Sequence, residues 1–161
     1  MNQHDMENTD WGKSVAGVVF REGKVLLARH TYGGGKGRLI IPGGYISRGE
    51  SPEDALKREY MEETGIAVEA EKIIGIRFNQ KDWYVAFRAE YLSGEEHSDG
   101  DENSEVLWMG TDEALSREDV PDLTKKLIAC ALSGNGMQKT DYNGTTRYGE
   151  YSFYGAKKAE D

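Results

Sequence analysis

Residues 44–66 read GYISRGESPEDALKREYMEETGI, and this stretch determines both the predicted fold and the predicted site. Ser51 is a candidate N-cap, and Pro52 suits the first position of a helix. Gly65 is a natural stop just after the last turn. The stretch therefore predicts one helix over about residues 52–64.

Three glutamates crowd one side of this predicted helix. A helix advances about 100° per residue, so Glu59, Glu62 and Glu63 fall on one arc around the small Ala55. Like charges at this spacing repel by roughly 0.2–0.5 kcal/mol per pair, and the C-terminus of a helix is itself partly negative. A hard divalent cation with oxygen ligands, Mg²⁺ or Mn²⁺, is the simplest way to offset this repulsion. Tyr60 falls on the face that can pack onto a sheet.

The spacing of residues in this stretch resembles the signature of the Nudix hydrolase family, G-x5-E-x7-R-E-U-x-E-E-x-G-U, where U is a bulky aliphatic residue. The chain supplies every fixed residue of that pattern: Gly44, Glu50, Arg58, Glu59, Glu62, Glu63 and Gly65. The one departure is Tyr60 at an aliphatic position, which concerns core packing more than catalysis. The resemblance implies a Nudix fold of the α/β (α+β) class, with a mixed β-sheet sandwiched between helices.

The resemblance also implies a reaction. Nudix enzymes cleave a nucleoside diphosphate linked to another group: water attacks a phosphorus of the diphosphate while divalent metals bind its oxygens. Glu59 and Glu63 would then be the principal metal ligands, and Glu62 a third ligand or the base for the water. The carbonyl oxygen of Gly44 would be a further ligand.

Two more sets of residues follow from the same resemblance. Glu50 would pair with Arg58 and hold the loop against the helix, which is a structural role. Family members often add an acidic ligand from a later loop. The acidic stretch 93–104 and the strand after it offer Glu102 and Glu105, and position favours Glu102.

The identity of the substrate stays open. Phe78, Trp83 and Tyr84 follow the signature and are either core residues or a stacking surface for a base. Short markers of three subgroups, the ADP-ribose, coenzyme A and NADH hydrolases, are absent. A nucleoside di- or triphosphate, a nucleotide sugar and a dinucleotide therefore all remain candidate small-molecule substrates.

Two other functions compete with hydrolysis. A non-catalytic Nudix-fold module that senses a nucleotide would not need the complete set of glutamates. A Nudix-fold isomerase of isoprenoid diphosphates would require a cysteine near the substrate, and Cys130 in a late apolar segment is poorly placed for that. The metal-dependent pyrophosphohydrolase is the leading hypothesis.

Composition restricts the partners. The chain has 161 residues and a net charge of −9, so its surface repels a polyanion and nucleic acid binding is not expected. No apolar segment is long enough to span a membrane, and the polar N-terminus lacks the core of a signal peptide. The predicted location is the cytoplasm.

The resemblance predicts one Nudix domain over residues 14–133, which includes the signature segment. A flexible N-terminus (1–13) precedes it. Strands are expected over 14–20, 25–29, 38–41, 67–78, 83–92 and 105–109, and helices near 112–116 and 122–132. The glycine-rich segment 31–37 is predicted to be a mobile surface loop. The Gly- and Tyr-rich tail, 134–161, is either disordered or a small aromatic hairpin that docks on the domain or on a second subunit, which leaves a homodimer open.

Overall fold

The computed structural model describes residues 12–156, which form a mixed sheet with helices on both faces. The strands are β1 (Lys13–Arg21), β2 (Lys24–His30), β3 (Leu39–Ile40), β4 (Gly43–Tyr45), β5 (Ala67–Phe78), β6 (Trp83–Ser93), β7 (Asn103–Gly110), β8 (Met137–Lys139) and β9 (Tyr154–Gly155). The helices are α1 (Pro52–Thr64), α2 (Thr111–Ser116) and α3 (Asp122–Leu132). None of these helices has the length and apolar character needed to cross a membrane.

Strand β1 organises the sheet. It runs parallel to β6, with register pairs from Lys13↔Trp83 to Val19↔Ala89, and a parallel pair requires a long crossover between its strands. The segment between them includes α1 and supplies that crossover. The first half of β1 also pairs antiparallel with β4, and its end pairs with β2. β2 continues to β3 and β7, whereas β6 continues through β5 to β8 and β9.

The core lies on both faces of the sheet, as alternation along β1 shows. Val15 and Val19 belong to a buried cluster with residues of α1. Ala16 and Val18 point to the opposite face and belong to a second buried cluster, with residues of α2 and α3. The predicted fold class, a mixed sheet between helices, is confirmed.

Helix α1 has the bounds that its sequence predicts. The Ser51 hydroxyl accepts a hydrogen bond from the Asp54 amide at 3.1 Å, which caps the N-terminus. Gly65 ends the helix in the left-handed conformation, with φ of 75°. A Cβ at Gly65 would also lie 2.3 Å from Nε2 of His97, but that exposed ring can move, so the left-handed backbone is what requires glycine there.

Tyr60, the departure from the family signature, is completely buried. Its hydroxyl donates a 2.6 Å hydrogen bond to the carbonyl oxygen of Gly17 in β1. The phenol therefore occupies an aliphatic position without leaving its polar atom unpaired, and it ties α1 directly to the central strand.

The structure differs from the prediction around the short strands. The strand predicted over 38–41 is only Leu39–Ile40, and a separate strand, β4, follows it at Gly43–Tyr45. Glycine is rare in strands, so the sequence pattern gives no sign of β4. β4 forms because its backbone pairs with β1, with Gly44 opposite Val15. Of the predicted flexible N-terminus, residues 1–11 lie outside the described part of the chain, and β1 already begins at Lys13.

Residues after α3 extend the sheet. β8 pairs with β5, and β9 pairs with β8. The ring of Tyr154 in β9 packs edge-on against Phe87, at 5.5 Å between centroids. Just before it, the Ser152 hydroxyl donates to the carboxylate of Glu53 in the first turn of α1, at 3.1 Å. The last five residues of the predicted tail, 157–161, lie outside the described part.

Replacing Tyr154 by alanine should lower the free energy of unfolding by about 1–2 kcal/mol, because the ring packs against a buried core residue. Tyr148→Ala is the matched control, since Tyr148 is 83% exposed and a change there should stay within roughly 0.5 kcal/mol. Urea unfolding of both variants measures the difference. Equal stabilities would show that β9 adds nothing to the fold.

Candidate functional site

Three carboxylates converge at the C-terminal half of α1. Glu59 and Glu63 come from the helix, and Glu102 comes from the loop before β7. One carboxylate oxygen of each lies within 4.8 Å of the others. Glu63 is only 5% exposed, and such a set of hard oxygen donors suits a divalent cation of the Mg²⁺ or Mn²⁺ type.

Electrostatics support the same conclusion. Burial raises the pKa of Glu63, and the charge of Glu59 raises it further. Burial also raises the pKa of Glu59, although the Arg58 guanidinium opposes that shift. The pKa of Glu102 is raised by burial and by the charges of acidic neighbours, Asp99 first. The three carboxyl groups are therefore stable together in their ionised form only when a cation offsets their mutual repulsion.

Arg58 links the helix to the loop before it. Its Nε and Nη2 donate to the two carboxylate oxygens of Glu50, at 2.8 and 2.9 Å. Nη2 also donates to the Tyr45 carbonyl at 3.1 Å, and Nη1 donates to Glu59 at 3.0 Å. This ion pair keeps the pKa of Glu50 below its ordinary value. Arg58 thus holds Glu59, β4 and the loop in one arrangement.

Two residues outside the signature position Glu102. The Thr31 amide donates to the Glu102 carbonyl at 3.1 Å, and the Thr31 hydroxyl donates to the Asp101 carbonyl at 2.6 Å. The buried Asn103 side chain donates to the Glu63 carbonyl at 2.9 Å. The acidic loop is therefore fastened both to the end of β2 and to the end of α1. No local sequence pattern marks Thr31 or Asn103, because their partners are distant along the chain.

The glycines of β4 form the wall against which the carboxylates lie. The Gly43 amide donates to the Glu63 carboxylate at 3.3 Å. A Cβ at Gly44 would lie 2.5 Å from the carboxyl carbon of Glu59. The absence of a side chain at Gly44 therefore allows the Glu59 carboxylate its close approach to the strand.

The remaining acidic candidates lie apart from this cluster. The Glu62 side chain is 59% exposed and accepts from Arg58 Nη1 at 3.3 Å. Glu105 lies on β7 and forms an ion pair with Arg29 at 3.0 Å. Glu102, rather than Glu105, is the acidic residue that meets Glu59 and Glu63.

A cavity of about 460 Å³ opens beside β4, and all three residues of this strand line it. Of the three aromatic residues that were candidates for base stacking, Tyr84 lines it. Phe78 and Trp83 do not: they contact each other edge-to-face at 5.2 Å, and their surfaces are 63% and 67% exposed. Tyr32 of the glycine-rich segment is a further wall residue. Burial and then the charges of Glu102, Glu63 and Glu59 raise its pKa to about 12. Gly43 and Gly44, which lie against the carboxylates, also line the cavity.

Replacing each glycine of β4 by alanine should have a different main effect: loss of activity at Gly44 and loss of stability at Gly43. Gly44→Ala should lower Mg²⁺-dependent activity by about 10- to 100-fold, because the new methyl group displaces the Glu59 carboxylate. Gly43→Ala should instead destabilise the protein by roughly 3 kcal/mol or more, because its Cβ would lie 2.1 Å from the Val15 carbonyl oxygen. Activity assays and urea unfolding of both variants test this. Unchanged activity of the Gly44→Ala variant would contradict the claim that the bare backbone at Gly44 is needed to position the Glu59 carboxylate.

Sequence and structure comparisons both match this chain to proteins of a single family. The sequence model of the family described as "NUDIX domain" matches residues 10–129. A MutT-like protein from Streptomyces ambofaciens is 35% identical over 134 residues, which are 81% of this chain and 83% of that protein. An NAD-capped RNA hydrolase, NudC, from Actinobacillus succinogenes is 36% identical over 110 residues; the match covers 61% of this chain but only 40% of NudC. A solved structure of a NUDIX hydrolase from Nitrosomonas europaea has a TM-score of 0.68 at 25% identity, covering 78% of this chain and 90% of that one.

Proposed function

Because the chain belongs to the Nudix hydrolase family, we propose that it is a metal-dependent pyrophosphohydrolase acting on a nucleoside diphosphate derivative. The products would be a nucleoside monophosphate and the phosphorylated remainder, formed by water attack at a phosphorus of the diphosphate. The observation that carries the proposal is the convergence of Glu59, Glu63 and Glu102, three carboxylates of raised pKa, beside a cavity of nucleotide size.

These three carboxylates would hold the cation, Mg²⁺ or Mn²⁺, and the carbonyl of Gly44 would be a further ligand. When bound, the cation neutralises diphosphate oxygens and lowers the pKa of a water ligand. Arg58 keeps Glu59 in place through the contacts described above. We assign the role of base to Glu62, because it is solvent-exposed and lies outside the ligand cluster. Its carboxylate would take the proton of the attacking water.

The cavity beside β4 would bind the nucleotide portion. Its wall is mainly apolar and aromatic, with Tyr84 and Leu123 able to contact a flat ring. The relative NudC acts on NAD-capped RNA, so a dinucleotide with an internal diphosphate belongs in any substrate panel. The net charge of −9 favours a free nucleotide over RNA itself.

The test is a panel of nucleoside triphosphates, nucleotide sugars and dinucleotides assayed with Mg²⁺, with Mn²⁺ and with a chelator. We expect a nucleoside monophosphate from at least one compound, dependent on the cation. Reaction in ¹⁸O-labelled water should place the label in a product phosphate, which identifies attack at phosphorus. Tight nucleotide binding without cation-dependent cleavage across the panel would instead favour the sensing module.

A further inference from the structure

The loop that carries Glu102 is closed by hydrogen bonds between Asp99 and Asn103. The Asn103 amide donates to Oδ1 of Asp99 at 3.0 Å, and the Asp101 amide donates to the same oxygen at 2.9 Å. In return, the Asp99 amide donates to Oδ1 of Asn103 at 3.3 Å. Since all of these partners belong to the loop itself, its own side chains set the shape of the backbone around Glu102.

Asn103 also joins this loop to helix α1. The residue is only 2% exposed, and its Nδ2 donates to the carbonyl oxygen of Glu63 at 2.9 Å. One side chain therefore uses its acceptor on the loop and its donor on the helix. An aspartate could not donate to the carbonyl, and an aliphatic residue could make neither bond. The two residues that Asn103 brings together, Glu63 and its neighbour Glu102, both belong to the carboxylate cluster.

Other contacts of the loop do not set the position of Glu102 relative to α1. The Thr31 amide donates to the Glu102 carbonyl, but Thr31 follows β2 and ties the loop to the sheet. The His97 amide donates to the Thr64 carbonyl at the end of α1, but His97 lies before the closed part of the loop. Among residues 12–156, Asn103 is the residue whose side chain links the closed part of the loop to the helix.

Building on the function proposed above, we propose that Asn103 and Asp99 are positioning residues of the cation site. They hold the Glu102 carboxylate at the distance from Glu63 at which one cation contacts both. Neither side chain has to touch the cation. A ligand that is already held in place loses little conformational freedom when the cation binds, so this arrangement should raise the affinity for the cation.

Titration with Mn²⁺ in the absence of nucleotide measures this affinity without turnover. Asn103→Ala should weaken Mn²⁺ binding by about 10- to 100-fold. Tyr154→Ala is the control for a general loss of stability, because it removes a packing contact with Phe87 outside the site and should bind Mn²⁺ as the parent does. Parent-like Mn²⁺ affinity in a folded Asn103→Ala protein would overturn the inference.

A matched pair at Asp99 separates geometry from charge. Asp99→Asn and Asp99→Ala both remove the negative charge, but only asparagine keeps an oxygen that can accept from the amides of Asp101 and Asn103. The alanine variant should therefore bind Mn²⁺ more weakly than the asparagine variant. Equal affinities would overturn the inference, and this pair decides the matter even if Asn103→Ala fails to fold.

A double variant tests whether Asn103 acts through Glu102. Once Glu102→Gln has removed the charged ligand, adding Asn103→Ala should weaken Mn²⁺ binding little further. Fully additive losses would show that Asn103 acts elsewhere and would overturn the inference. A parent protein that bound no Mn²⁺ would overturn the proposed function as well, whereas normal binding by the parent with unaffected variants would overturn only the roles of Asn103 and Asp99.

Discussion

Glu63→Gln should lower turnover of the best substrate by about 10²- to 10³-fold, the range expected when one electrostatic stabiliser of a transition state is removed. Glu63 is the most buried member of the cluster and lies within reach of both other carboxylates. Glutamine has almost the same volume and keeps an oxygen that can accept from the Gly43 amide. The loss should therefore reflect the missing charge rather than a damaged fold.

Steady-state kinetics over a range of Mg²⁺ concentrations measure this effect. The matched control is Glu90→Gln on β6, an exposed position outside the site, which should retain the parent turnover. Thermal unfolding verifies that both variants fold. If the Glu63 variant turned over at the parent rate with the same Mg²⁺ dependence, the assignment of the cluster as the cation site would be wrong.

Without a cation, the protein should become less stable as the pH rises, because of Glu59 and Glu63. Burial raises the pKa of Glu59 and Glu63 in the folded state, whereas both groups titrate near about 4.3 when unfolded. Above that pH the folded protein binds more protons than the unfolded chain. The free energy of unfolding should therefore fall as the pH rises from about 5 to 8, by of order 2–3 kcal/mol.

The double variant Glu59→Gln/Glu63→Gln isolates this contribution. Burial lowers the pKa of His30, which makes stability rise with pH below about 6.5 and opposes the glutamate effect. Because His30 is present in both proteins, subtracting the two urea-unfolding curves removes its contribution. We expect the variant to be more stable than the parent at pH 8 without a cation. Saturating Mg²⁺ should stabilise only the parent. A less stable variant under cation-free conditions would contradict the repulsion argument.

Helix α1 and two of the three carboxylates were predictable because their determinants are local. Ser51 and Gly65 fix the ends of the helix, and its 100° advance per residue places Glu59 and Glu63 on one side. The contribution of the glycine strand β4 was not predictable, since β4 exists only through pairing with β1. The loop carrying Glu102 is fixed by contacts to Thr31, about 70 residues earlier, which no local pattern reveals.

For the aromatic candidates Trp83 and Tyr84, strand geometry alone could have separated the cavity residue from the exposed one. Trp83 and Tyr84 are neighbours in one strand, and successive side chains of a strand point to opposite faces. Only one of them could line a given cavity, so the sequence already contained the reason to separate them. The structure places Tyr84 at the cavity and leaves Trp83 mostly exposed.

The glycine wall of β4 has a consequence for how such a protein can change over evolutionary time. The carboxylates of Glu59 and Glu63 lie against the bare backbone of β4, and the same strand forms part of the cavity wall. Cavity residues that other elements supply, such as Tyr84 and Leu123, can therefore be exchanged while the contacts of Gly43 and Gly44 with the carboxylates stay the same. Recognition and chemistry are separable traits in this arrangement, so a descendant could acquire a new substrate by a few cavity substitutions while its reaction stayed the same.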